Sequence, residues 1–233
     1  MLFRSDLDGA LTAARSCQRA AGRFRQRRVE AMAWGVQACI AGLRCDRDET
    51  ERAAGQAELA LPDDPEVLAV TWGEARTTAS LFLNDIPRAR SESNAGISYG
   101  REARQHAPPR AWGLWVLLEA ISGDGGRAAL HEAQARGAAG SFNRGFLGYA
   151  DAVLEGRDGH PDRASELAER ASADLAAFAP WWTCLAQRLV APCALEHGWG
   201  QPVAWLKAAI TNFDGNGHEE LASACRSMLG RAG

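Results

Sequence analysis

The sequence predicts an all-α protein built from repeated helical hairpins, and three observations carry that prediction. Apolar residues recur at three- and four-residue steps in one segment after another, the period of a helix buried along one face. No segment holds a sustained period-two alternation, so essentially no sheet is expected. Polar or Gly-rich breaks recur near Asp46, Asp85, Asp124, Gly159 and Gly200, roughly 35 to 41 residues apart, a period that belongs to stacked helix pairs. It exceeds the 34 residues of a strict tetratricopeptide repeat (TPR), so the hairpins are TPR-like rather than TPR. The expectation is one helical-repeat domain over residues 1–233, a right-handed α-solenoid of about five to six helix pairs.

Taken in order, Leu7, Ala10, Leu11, Ala14 and Cys17 outline a first helix. Val29, Met32, Val36, Ile40 and Leu43 give one of the cleanest apolar stripes in the chain, and a break at Cys45-Asp46 opens a weaker, Ala-rich helix reaching Leu61. Pro62-Asp63-Asp64-Pro65 ends it, and Leu68, Trp72, Ala75, Ala79 and Phe82 mark the next stripe. Asn84-Asp85 supplies a cap for the following helix, with Pro87 in its first turn, where a missing N–H costs nothing. That helix is expected to run to about His106 and to stop at Pro108-Pro109. Trp112 to Ile121 is apolar nearly all round, the mark of a helix buried on several sides. After the turn Gly123-Asp124-Gly125-Gly126 comes an Ala-rich helix ending near Gly137. Phe142, Phe146, Tyr149 and Val153 form another stripe, and Asp158-Gly159-His160-Pro161-Asp162 opens a helix carrying Ala164, Leu167, Ala171, Leu175 and Phe178. The first helix of each pair is rich in small residues and the second carries the bulky aromatics, so neighbours approach closely while large rings fill the core.

Residues 180–232 hold three more helical segments. Pro180 suits a helix start, and Trp182, Leu185, Leu189 and Cys193 recur at helical spacing; Pro192, which lacks the N–H that would bond the Arg188 carbonyl, predicts a kink or an early end. A second helix begins near Gln201-Pro202, with Val203, Leu206, Ile210 and Phe213 on one face; Leu221, Cys225 and Met228 mark the last. The run from Trp181-Trp182 through Arg188-Leu189, Gly198-Trp199-Gly200-Gln201-Pro202 and Trp205-Leu206 to Phe213, Gly217-His218 and Ala224-Cys225-Arg226 resembles a known helical region. It is similar to the C-terminal part of the TPR-like repeats that precede the DNA-binding domain in large LuxR-type transcriptional regulators of actinobacteria. In that family an ATPase precedes the repeats and a helix-turn-helix follows them. The likeness covers roughly the last 55 residues, and the sequence contains neither the P-loop pattern GxxxxGK[ST] nor a helix-turn-helix, so no ATP-binding or DNA-reading residue carries over.

Composition bounds the rest. A net charge of −3 gives no electrostatic argument for nucleic acid or an anionic membrane, and Lys207 is the only lysine. There is no apolar run of 18 or more residues and no signal-peptide core at the N-terminus, so the expected location is the cytoplasm without membrane contact. The six cysteines (17, 39, 45, 184, 193, 225) lack motif spacing and read as buried, reduced thiols.

Cys193 and His197 are four apart on one helix and could hold a metal side by side, but no second pair complements them, and core packing is the favoured reading. Arg19, Arg23, Arg25, Arg27 and Arg28 form the one basic cluster, read as a solvated helix end in preference to a site for nucleic acid or an acidic partner. Gly123-Asp124-Gly125-Gly126 and Asp214-Gly215-Asn216-Gly217 lack the strand and lysine of a phosphate loop and the spaced oxygens and closing Glu of a calcium loop, so they are turns. Trp181, Trp182, Trp199 and Trp205 are the candidate lining of a partner or ligand groove, weighed against core packing. No nucleophile, base or paired-carboxylate arrangement appears. The expectation is therefore a non-catalytic interaction or sensor module with no cofactor and no metal, its partner a protein, a peptide or a neighbouring domain. The resemblance implies relay of the state of an upstream ATPase or effector to a DNA-binding domain, without direct nucleic-acid contact. A stand-alone adaptor binding on a concave face is the second reading, and a homo-oligomer is open.

Overall fold

A computed structural model describes residues 6–103, 111–123, 125–138 and 140–232, and the described residues are helical, without a strand. Where the sequence suggests one domain, contacts divide the chain into two compact units, Met1–Ala111 and Trp112–Gly233. The helix expected to run to about His106 ends earlier, at Glu102, where Ala103 turns to extended backbone; the Pro108-Pro109 stop lies outside the described residues.

The first unit contains α1 (Leu7–Arg23), α2 (Arg27–Leu43), α3 (Arg47–Ala60), α4 (Pro65–Val70), a π-helical segment (Thr71–Arg76), α5 (Thr77–Phe82) and α6 (Ile86–Glu102). Each start has a local cause. The Asp6, Asp46, Asp64 and Asp85 carboxylates accept first-turn backbone N–H groups, and Pro65 and Pro87 stand where no N–H is needed. The ends share one hydrogen-bonded turn. Arg25, Cys45 and Asn84 sit at φ 54°, 59° and 59°, and the following N–H reaches back to Ala21, Ala41 and Ser80 at 2.9, 3.0 and 2.8 Å. Small residues then set the packing: Ala31, Ala38, Ala53, Ala54, Ala57 and Ala75 are wholly buried where α3 and the π-helical segment meet α2. Closest of all is Gly96 on Gly73, where an added Cβ would lie 2.3 Å from backbone atoms.

The helix carrying Leu68 to Phe82 is continuous but widens into the π-turn at Thr71–Arg76, which its periodicity does not announce. Val29 is 41% exposed rather than in the stripe, and Cys17 is exposed rather than buried.

The second unit runs α7 (Trp112–Ser122), α8 (Gly126–Ala135), α9 (Ser141–Arg157), α10 (Pro161–Leu175), α11 (Pro180–His197), α12 (Pro202–Gly215) and α13 (Glu219–Ala232). Trp112 through Ala120 are all buried, as the all-round apolar pattern predicts. Here the turn recurs with glycine at its left-handed position, at Gly137, Gly159 and Gly217, whose neighbours donate back to Ala133, Glu155 and Phe213. Helix α9 is central, packed by α7, α10 and α11, while α12 lies between α11 and α13. The early end expected as one outcome at Pro192 does not occur: α11 continues to His197. Pro192 stands on the exposed side while Leu189, Val190, Cys193 and Ala194 are buried around it, so packing carries the helix past one missing hydrogen bond. Val203 is 44% exposed, so only Leu206, Ile210 and Phe213 of its expected face turn inward.

Candidate functional site

Among the tryptophans singled out above, Trp181 and Trp182 form the first turn of α11, and both are buried. Adjacent helical side chains diverge by about 100°, yet the helix is enclosed on enough sides to cover both. Trp182 joins a ring cluster with Phe142 and Phe146, at 5.2 and 6.2 Å between centroids, and Phe142 meets Phe178 at 5.2 Å, all edge-to-face. Trp199 and Trp205 form a different cluster. The αL residue Gly198 turns the chain so that the Trp199 ring lies on Gly156, where any Cβ would come 2.3 Å from its Nε1. Trp199 meets Trp205 at 5.9 Å, and Trp205 meets Tyr149 at 6.5 Å. Trp205 alone of the four is half-buried.

Beneath the rings lies a polar cluster that the sequence does not announce. The Tyr149 hydroxyl and Ser172 Oγ are 2.6 Å apart, and Gln187 Nε2 donates to Ser172 Oγ at 3.3 Å. Burial pushes the Tyr149 phenol up, partly offset by its bonds to Ser172 and Gln187, so it is neutral at physiological pH. Burial lowers the Arg188 guanidinium's affinity for its proton, offset by Cys225; it raises Cys184 from 9.0 to about 11, and it raises Cys225 against the pull of Arg188 and Arg226. A thiol becomes a nucleophile as thiolate, so Cys184 and Cys225 are inert packing groups here. The available sequence signal was Gln187-Arg188 interrupting an apolar helix that buries residues on every side. Cys193 Sγ points to the Val153 carbonyl at 3.9 Å, burial raises its pKa, and no group of three or more His, Cys, Asp or Glu is placed to hold a metal among the described residues.

Among the described residues, one accessible feature of this unit is a groove of about 560 Å³ between α11 and α13, lined by Pro192, Leu195, Glu196, Met228 and Arg231. It exists because α13 packs on α12 and only grazes α11. Leu195, 36% exposed, lines it beside a carboxylate and a guanidinium. Neither groove wall was chosen from sequence, although Met228 stands out in the last helix.

The first unit holds ionic chemistry instead. Arg76 is 7% exposed and donates to Glu51 at 2.8 Å and to Glu58 at 2.7 Å, while its guanidinium stacks 4.4 Å over Trp72. Burial alone would lower its pKa, but the two carboxylates reverse the sign and raise it. Arg88 continues the network to Glu51 and to the buried Glu92, which Ser80 also bonds at 2.5 Å. Arginine's donors are filled by carboxylates, so this is a clamp across α3, the π-segment and α6.

Comparison with protein-family models, curated proteins and solved structures found no match.

Proposed function

We propose that this chain is a non-catalytic interaction module, a TPR-like array of hairpins whose α11–α13 groove receives an amphipathic helix. The groove carries the reading: Pro192, Leu195 and Met228 offer an apolar floor, and Glu196 and Arg231 offer one charge of each sign to fix the direction of the occupant. Inert thiols and carboxylate-filled arginines support binding rather than chemistry. Following the resemblance of residues 181–226, the module belongs to a LuxR-type regulator, and the occupant is a helix of a neighbouring domain whose docking changes with effector state. The second reading, a stand-alone adaptor, uses the same groove for a helix of another protein.

The two readings separate on the source DNA. A frame that stays open beyond codon 233 into a helix-turn-helix is the expected result, and groove variants of that longer protein should then alter DNA binding. A stop codon directly after Gly233 would overturn the regulator reading and leave the adaptor.

A further inference from the structure

On α3, α6 and α8, exposed arginines have a carboxylate three or four residues away: Arg52 meets Glu49, Arg88 meets Glu92, and Arg136 meets Glu132. On α1 that spacing is filled by arginine instead. Arg15, Arg19 and Arg23 follow at four-residue steps, and Arg25 and Arg27 continue the run through the turn into α2. Among the described residues, Arg19, Arg23, Arg25 and Arg27 pair with no carboxylate, while Arg15 acts on Glu49, which Arg52 already holds. The neighbouring acids are engaged elsewhere: Glu30 accepts from Gln18 at 3.2 Å, and Arg28 binds Asp64 and Glu66. Like charges one helical turn apart disfavour a helix, so the run does nothing for the stability of α1 itself. Residues 22–29 are exposed without interruption, and Phe24, 75% exposed, stands among these arginines.

We infer that this arginine run docks an acidic segment of a partner protein, a helix with carboxylates one turn apart and an apolar side chain beside them. Arg15, Arg19 and Arg23 rise by about 6 Å per step, the spacing of Glu or Asp residues four apart on a partner helix. Guanidinium groups take carboxylates in a two-pronged fork, and Phe24 supplies the apolar contact that interfaces set among arginines. A phosphate polymer or an anionic bilayer fits less well. Both reward a broad positive field, whereas this chain carries −3 overall and exposes Asp63 on the turn that Arg28 ties to this end. A short acidic helix covers the stripe alone. The site belongs to the first unit and does not depend on the α11–α13 groove.

Fluorescence anisotropy tests this, with the full chain titrated into a labelled helical peptide that carries glutamates at four-residue steps and leucines beside them. At about 0.15 M ionic strength, screening over about 8 Å leaves only contacts to be read. A micromolar Kd is expected, and the same peptide with glutamine in place of glutamate should not bind. Arg19→Glu and Arg23→Glu should each raise Kd by about tenfold or more, and Phe24→Ser by about threefold. Circular-dichroism melts should be unchanged, because these side chains are exposed. Arg170→Glu, at an exposed arginine on α10 outside the run, should leave Kd as it is. No binding up to millimolar chain overturns the proposal. So does an equal rise in Kd for Arg170→Glu and Arg23→Glu, which would report net charge alone. A single-stranded oligonucleotide or an anionic-phospholipid vesicle that binds through Arg19 and Arg23 more tightly than the peptide also overturns it, assigning the run to phosphate.

Discussion

The two units build the same turn from different residues. In the first, Arg25, Cys45 and Asn84 hold left-handed backbone that glycine adopts without cost; in the second, Gly137, Gly159 and Gly217 hold it. Their interiors differ as well. The first is an alanine-packed core crossed by the Glu51–Arg76–Glu58 clamp, and the second stacks phenylalanine and tryptophan rings above a neutral polar cluster. The shared element is a hydrogen-bond pattern, so hairpin geometry is specified by the turn bonds and by where small residues allow close approach, while the chemistry of the interior is free to vary.

The difference gives a graded set of tests. The largest effect is expected at Gly96→Ala, because its new Cβ meets Gly73 backbone that has no rotamer to yield; a loss of about 3 kcal/mol or more in urea unfolding is expected. Arg76→Met should cost the first unit about 3 kcal/mol, because Glu51 and Glu58 would be left without their buried cation. A change below 1 kcal/mol in that titration would mean that solvent already screens the clamp.

In the second unit the comparable experiment is alkaline titration. Cys184 holds its proton to about 11 when folded and to 9.0 as an ordinary thiol. Its contribution is intact below pH 9 and is lost as pH rises toward 11, at about 1.4 kcal/mol per pH unit. Stability measured across that window should fall less steeply in Cys184→Ala than in the wild type, and Tyr149, Cys193 and Cys225 contribute in the same direction. The smallest effects lie in the turns. Asn84→Gly and Arg25→Gly should stabilise by about 0.5–1 kcal/mol, whereas Gly159→Ala and Gly217→Ala should destabilise by about 1 kcal/mol, as read from melting temperatures.

What was legible in the sequence follows from what each signal reports. Helix starts at Asp46, Asp85 and Pro180 were readable because caps and prolines act within four residues. The π-turn at Thr71–Arg76 was not, because Leu68, Trp72, Ala75, Ala79 and Phe82 keep ordinary helical spacing and the widening reflects packing against α2 and α6. At Pro192 the missing hydrogen bond alone would allow an early end, and burial of the surrounding residues carries α11 on to His197. For the candidate site, tryptophan was a good guide to the core and a poor one to the surface: Trp181, Trp182 and Trp199 pack inside. The groove depends on α13 leaning away from α11, a three-dimensional displacement with no one-dimensional trace.

Docking of a helix in the α11–α13 groove can be read with a photo-crosslinking residue at Leu195 in the source cells. A discrete adduct mapping to one amphipathic helical segment is expected, lost in Met228→Glu and absent when the crosslinker sits at the exposed Arg170 on α10. Equal labelling from the two positions, or an adduct indifferent to Met228→Glu, would contradict it.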